Sequence, residues 1–169
     1  YRIKGPQSAP IKIIEFIDFQ CPACAHGSFY LKEMMEKHPD LIQLELKYFP
    51  LSMHAHALLS AKYVECAGQQ GKFWEYQDQL LKLQNNWKKL QDAKPAFDHI
   101  AVNVEVNNPE FEACLASEDT VKKVSSFKDE GKTLGIKSTP TYFVNGEMIV
   151  GSNLLSQKLS ELITKNQNE

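Results

Sequence analysis

The 169-residue chain has no long apolar run, no block of basic residues, no second Cys-x-x-Cys and no low-complexity tract. Each absence excludes a class of function. Without about 20 consecutive apolar residues, no segment is expected to span a bilayer as a helix. Lys and Arg number 19 and Asp and Glu 21, so the net charge is −2. With no basic stripe, nucleic acid is excluded as a partner. No GxSxG, P-loop, HExxH or paired-carboxylate pattern is present, which removes the corresponding hydrolase and nucleotide-binding chemistries. Metal sites are poorly served. A structural zinc site takes four N/S ligands, and only His54 and His56 could complete one begun by Cys21 and Cys24. Haem attachment needs histidine directly after the second cysteine, where Ala25 stands before His26. No metal and no other cofactor is expected. The chain starts at Tyr1 and shows no signal peptide, so a removed leader or anchor is left open.

What is present is an ordinary globular composition, 43% hydrophobic and 24% charged. It is enough for one domain with a sizeable core. The stretch IKIIEFIDFQCPACAH, residues 11–26, organises the rest. Ile11–Phe19 is β-rich and almost uninterrupted by polar residues, as in a strand covered on both faces. Pro22 follows Cys21, in the first helical turn where proline is tolerated. Helix formers continue to Lys37, and Pro39 stops them. Cys21 thus falls at a helix N-terminus, and Cys24 lies one turn further in. Orphan N–H groups and the helix dipole there favour a thiolate, the reactive form of cysteine. A structural pair or a metal knuckle remains the competing reading of a lone Cys-x-x-Cys.

Two further features narrow that choice. Glu15 interrupts the apolar strand on the same face as Ile17 and Phe19. A carboxyl beneath the helix start would be desolvated, with a raised pKa, and could exchange a proton with Cys24. The alternative is an edge charge that reaches solvent. Far along the chain, residues 135–146 (GIKSTPTYFVNG) read as a loop, a strand and a turn, with Pro140 at the strand entrance.

Together, EFxDFxCPxC, the Thr139-Pro140-Thr141 strand entrance and FVNGxxIxG resemble the DsbA-like thiol–disulfide oxidoreductases of the thioredoxin superfamily. The likeness runs along nearly the whole chain. It implies an α/β, thioredoxin-like fold with a helical insertion between the βαβ and ββα halves. It also implies a cis Thr139–Pro140 bond facing Cys21, and Glu15 as the family's buried acid. Cys66 and Cys114 are either two buried free thiols or a disulfide, and the family's members with an extra pair favour the bridge. Such a bridge suits an oxidising compartment and is worth about 4 kcal/mol in the chain-entropy picture. The resemblance implies reduced, unfolded polypeptides as substrates. Reoxidation would come from a membrane quinone-linked partner, either DsbB-like or a vitamin K epoxide reductase homologue. The chain departs from the best-known members at Pro22-Ala23, where no histidine lies between the cysteines. One source of positive charge near the thiolate is missing.

In chain order, Tyr1–Lys4 is expected as an edge strand, Ile11–Phe19 as a central strand and Cys21–Lys37 as a helix. Leu41–Phe49 alternates as a strand with one wetter face. From Pro50 onward no strand is expected until residue 141. Helices are placed at Ala55–Ala67, broken by Gly68 and Gly71, then at Lys72–Leu83, Leu90–Ala101 and Glu110–Leu115. Another runs from Ser117 to about Leu134. Asn85-Asn86 is read as a loop. Tyr142–Asn145 and Glu147–Val150 form a hairpin around Asn145-Gly146, and Leu154–Ile163 closes the chain before a frayed polar end. The organisation is residues 1–51 and 120–169 as the thioredoxin-like parts, with 52–119 as the helical insertion. A monomer is the default.

His54 and His56 are read as solvent-facing at a helix start. Phe73, Trp74 and Tyr76 are read as core rather than as a peptide groove, and Phe16 and Phe143 as core. The resulting expectation is a periplasmic or otherwise extracytoplasmic protein disulfide oxidoreductase. Cys21 would be the exposed leaving group, Cys24 the buried resolving thiol and Glu15 the proton shuttle. Thr139, Pro140, Pro22 and Ala23 would border the bound substrate. A reductase or isomerase is the rival within the class. A non-catalytic peptide-holding module is the rival outside it.

Overall fold

The computed structural model describes residues 1–168. The chain enters as a two-residue strand, β1 (Ile3–Lys4), which Gly5 ends at φ +91°. Strand β2 (Ile11–Ile17) follows, then helix α1 (Pro22–Lys37) and strand β3 (Ile42–Tyr48). Six helices come next: α2 (Ala57–Gln69), α3 (Phe73–Lys82), α4 (Gln84–Trp87), α5 (Lys94–Asn103), α6 (Pro109–Ala116) and α7 (Glu118–Thr133). The chain returns as the hairpin β4 (Thr141–Val144) and β5 (Glu147–Val150), and ends in α8 (Ser152–Gln167).

The sheet order is β1-β3-β2-β4-β5. Only β2 and β3 run parallel, joined by α1 as the crossover that parallel strands require. The apolar run of β2 therefore occupies the centre of the sheet, buried on both faces. Ile11 and Ile13 pack with Leu31 and Met35 of α1 and with Leu155, Leu159 and Ile163 of α8. Phe16 faces the other way, edge-on to Phe49 at a centroid distance of 6.4 Å. Helix α7 lies close on that side: a Cβ at Gly131 would come within 2.7 Å of the Phe49 ring. The alternation in β3 is as read, with Ile42, Leu44, Leu46 and Tyr48 buried and the intervening residues half-buried.

Helices α2 to α6 build an aromatic core around Tyr63, Tyr76, Phe97, Phe111 and Trp87, which merges with Ile17, Phe19 and Cys24. This cluster props the far side of the active-site turn. Burial of each such ring contributes about 1.5–3 kcal/mol. The fully buried Trp87 also donates its indole N–H to the Leu80 carbonyl at 2.9 Å, which meets the need of a buried polar tip.

Several boundaries differ from the sequence reading. Asn85-Asn86 is not a loop but part of the one-turn helix α4, held by the burial of Gln84 and Trp87 at either end. The next helix starts at Lys94 rather than Leu90, because Pro95 is tolerated only in a first turn. Gly68 does not break α2. It lies inside that helix, where the rings of Tyr1 and Phe73 leave no room for a Cβ, and Gly71 at φ +78° makes the turn instead. Phe143 is half-buried rather than core. The last helix continues through Gln167, with Ile163 buried and Asn166 bonded to the Leu162 carbonyl at 2.8 Å. The frayed end expected from Thr164 is thus helical as far as Gln167, and Glu169 lies outside the described residues. Among the described residues no helix is long and apolar enough to cross a membrane.

Candidate active site

Strand β2 stops at Ile17, two residues earlier than its apolar run suggests, because Asp18 turns the chain. The Asp18 carboxylate is buried. Oδ1 accepts from the Gln20 N–H at 2.8 Å, and Oδ2 accepts from the Leu51 N–H at 2.9 Å and faces His54 Nδ1 at 2.8 Å. Its carbonyl accepts from the Cys21 N–H at 3.0 Å. Gln84, on α4, donates Nε2 to the carbonyls of Phe19 and Cys21 at 2.7 and 3.0 Å. The turn is thus clamped from both sides. Cys21 is the N-cap of α1, with Pro22 in the first turn.

The two cysteines are free thiols with opposite electrostatics. The Cys21 thiol is held down from an ordinary 9.0 to about 5, chiefly by a hydrogen bond from the Cys24 thiol. The backbone N–H groups of Cys24 and Ala23 and the Thr139 side chain add to this, against the opposing effect of burial. Each unit of such a shift is about 1.4 kcal/mol in favour of the anion. As a thiol, Cys21 Sγ lies 3.6 Å from the Thr139 carbonyl, and the Thr139 hydroxyl is buried without a partner. On ionisation that hydroxyl gains an anion to which it can donate. Burial pushes the Cys24 thiol well up, and the neighbouring Cys21 and Glu15 charges add to it. The Thr139–Pro140 bond is cis. Hydrogen-bond donors thus do the work that a histidine between the cysteines would share.

Cys21 is not exposed, as the sequence reading had it. Only 8% of its surface is accessible, because the loop at Thr139 packs over it. Nor does Glu15 reach solvent at a sheet edge. It sits in the central strand with no accessible surface. Burial raises its carboxyl to about 8, and the Ser28 and Tyr142 hydroxyls beside it moderate the rise by favouring the charged form. A carboxyl near 8 and a thiol above its ordinary value can pass a proton at neutral pH. His54 and His56 do not simply face solvent either. His54 pairs with Asp18, and buried His56 directs Nε2 to the Leu90 carbonyl at 2.7 Å. Phe73 and Tyr76 are core, as read, while Trp74 is half-buried and lines a small cavity with Glu15, Ser28 and Gln77. Its volume is about 20 Å³, room for a single water.

Cys66 and Cys114 form a disulfide between α2 and α6, with Cα atoms 5.7 Å apart.

The family model described as Thioredoxin matches residues 2–165. The chain belongs to the thioredoxin family. Its fold is that of DsbA-like thiol–disulfide oxidoreductases. Wolbachia pipientis alpha-DsbA1 superimposes at TM-score 0.79 and 20% identity, covering 97% of this chain and 91% of its own. A thioredoxin-like oxidoreductase from Silicibacter pomeroyi DSS-3 gives 0.77 and 16%, covering 99% and 92%. The catalytic domain of Proteus mirabilis ScsC gives 0.77 and 17%, covering 96% and 88%. Among curated sequences, Na(+)/H(+) antiporter NhaA 1 of Salinispora arenicola is 30% identical over 89% of this chain and 22% of its own length. NhaA 3 of Salinispora tropica is 28% identical over 85% and 21%. The chain therefore spans about a fifth of the length of these curated relatives.

Within this thioredoxin-family site, sequence reasoning missed Asp18, Ser28, Gln84 and Tyr142. Ser28 is one helical turn beyond Cys24, and Tyr142 is two residues beyond Pro140, so period counting points to both. Gln84 carries no such signal. Its helix is a single turn, and its partners are two carbonyls more than 60 residues away.

Proposed function

We propose that this thioredoxin-family chain is a protein disulfide oxidoreductase that introduces disulfides into reduced polypeptides outside the cytoplasm. The observation that carries the reading is the split in proton affinity between Cys21, about 5, and Cys24, well above the ordinary thiol. Stabilising one thiolate stabilises the reduced form and makes the disulfide a better oxidant, by about 30 mV for each 1.4 kcal/mol. A substrate thiolate attacks Cys21 of the Cys21–Cys24 disulfide. The sulfur of Cys24 leaves as a thiolate and takes a proton from Glu15. A second substrate thiolate attacks the mixed disulfide, and the substrate leaves with its new S–S bond while Cys21 departs as the stable anion. The substrate backbone lies along Thr139-Pro140 in extended form, with Pro22 and Ala23 as the opposite rim. Reduced, unfolded polypeptides are the substrates, and a membrane quinone-linked partner, DsbB-like or a vitamin K epoxide reductase homologue, restores the disulfide. The sodium–proton antiport in the relatives' names is not transferred.

A second reading, reductase or isomerase, is favoured by Pro22-Ala23, which supplies no cation to the thiolate. Equilibration with glutathione separates the two. A strongly oxidising potential, with oxidation of a reduced model substrate that Cys21→Ala abolishes, supports the oxidase. A potential near −270 mV, that of a thioredoxin, overturns it. Oxidation that survives Cys21→Ala overturns the enzymatic reading altogether and leaves a peptide-holding module.

A further inference from the structure

Two polar atoms at the back of the site lack a hydrogen-bond partner among the described residues, and their residues are paired across the sheet. They are Oε2 of Glu15 and the hydroxyl of Tyr142. The β2–β4 register sets Glu15 opposite Tyr142. Residues directly opposed in an antiparallel pair project to one face with Cβ atoms about 5 Å apart. The Tyr142 hydroxyl also has a place cut for it in α1. Its neighbour there is Gly27, and a Cβ at that position would collide with the hydroxyl oxygen. Ser28, the next residue of α1, already donates Oγ to the other Glu15 oxygen, Oε1, at 3.4 Å. Glu15 and Tyr142 have no accessible surface, and the cavity that Glu15 lines has room for a single water only.

We infer that Tyr142 is a positioning residue for the proton transfer, its hydroxyl donating to Oε2 of Glu15 whenever Glu15 is a carboxylate. Ser28 and Tyr142 then form a two-hydroxyl cradle for a charge that would otherwise be half-solvated in an apolar interior. Tyr142 keeps its own proton throughout. Burial, followed by the Glu15 charge, drives the phenol away from ionisation. The cradle rests on the reading of Glu15 as the proton partner of Cys24 and assigns a role to a residue outside that mechanism. It also ties the proton step to β4, the strand that carries Pro140.

The step to test is Cys24 attack on a mixed disulfide between Cys21 and glutathione. Cys24 gives its proton to the Glu15 carboxylate. The Cys24 sulfur bonds to the Cys21 sulfur, the Cys21–glutathione S–S bond breaks, and glutathione leaves as a thiolate that solvent protonates. The rate rises with pH until Glu15 is fully ionised. Tyr142→Phe keeps the ring and removes the donor. The limb of that profile is expected to move up by about one pH unit, the size of one lost hydrogen bond to a charged group. Glu15→Gln is expected to abolish the limb, and Tyr142→Phe added to it is expected to change nothing more. An unmoved limb in Tyr142→Phe, with the limb lost in Glu15→Gln, overturns the inference and leaves the role of Glu15 intact. A limb that survives in Glu15→Gln overturns that role as well. A measurement on the unaltered protein needs no variant to fold: the carbon-13 resonance of Tyr142 Cζ should shift with the Glu15 carboxyl through one common midpoint. A Tyr142 signal that is flat across that titration overturns the cradle.

Discussion

The molecule carries two cysteine pairs, and they differ in what points at the sulfur. Cys21 and Cys24 lie three residues apart at the start of one helix, where donor groups converge on Cys21. Cys66 and Cys114 are 48 residues apart, each within a helix whose own bonds use the neighbouring N–H groups. The Thr120 hydroxyl beside them is committed to the Cys114 carbonyl at 2.7 Å. Both pairs are buried or nearly so. Burial therefore does not distinguish the two pairs; the supply of unspent donors does.

Each side of this contrast can be broken. The largest effect is expected from Cys21→Ala, which should remove exchange activity entirely in a reduced-substrate oxidation assay, whereas replacing Cys66 and Cys114 together should leave it largely intact. The second pair should report instead in stability. Cys66→Ala/Cys114→Ala is expected to lose about 4 kcal/mol in urea unfolding, the chain-entropy value for a loop of 48 residues. Thiol counting under denaturing, non-reducing conditions should find no free thiol at positions 66 and 114.

A third prediction sharpens the contrast through pH. Between about 5 and 9 the folded, reduced protein holds fewer protons at Cys21 than the unfolded chain does. The Cys21 contribution to stability therefore rises with pH across that window and is lost as pH falls through about 5. The Cys21–Cys24 disulfide form lacks this dependence, so reduced-minus-oxidised stability should climb from pH 5 to 9, and Cys21→Ser should remove the Cys21 contribution to the pH dependence of the reduced protein. Glu15 works in the opposite direction. Its folded carboxyl, near 8, holds a proton that the unfolded chain releases from about 4.5, so Glu15 lowers stability as pH rises between those values. Between about 5 and 8 the two contributions offset each other in the reduced protein, so Glu15→Gln should uncover the rise with pH. The smallest effect is expected from Gln84→Ala, which frees the carbonyls of Phe19 and Cys21. A loss of about 1–3 kcal/mol in stability should accompany a several-fold slower exchange.

Much of this was readable in the chain. The β2 run, the Pro22 helix start and the Asn145-Gly146 turn are local signals, and local physics decides them. Placing Glu15 within the apolar run correctly marked a buried carboxyl, because a central strand offers no route to water. The sequence misled where distant segments meet. The resemblance set Thr139-Pro140 against Cys21, but nothing near Cys21 reveals how fully that loop covers it, and nothing near His56 reveals the Leu90 carbonyl that buries it. Gln84 was invisible for the same reason. Its single-turn helix looks like a loop until the aromatic cluster around Trp87 holds it in place.

The amide of Gln84 makes the helical block a structural tenant of the Cys21 turn rather than a neighbour. A graft that exchanges this block for one from another thioredoxin relative would carry the rings across and still disarm the sulfur, unless it also delivers a carboxamide to the same two oxygens. Any ligand or lesion that shifts α4 by an ångström would be felt first at Cys21, through a bond that no alignment of the Cys-Pro-Ala-Cys segment would display.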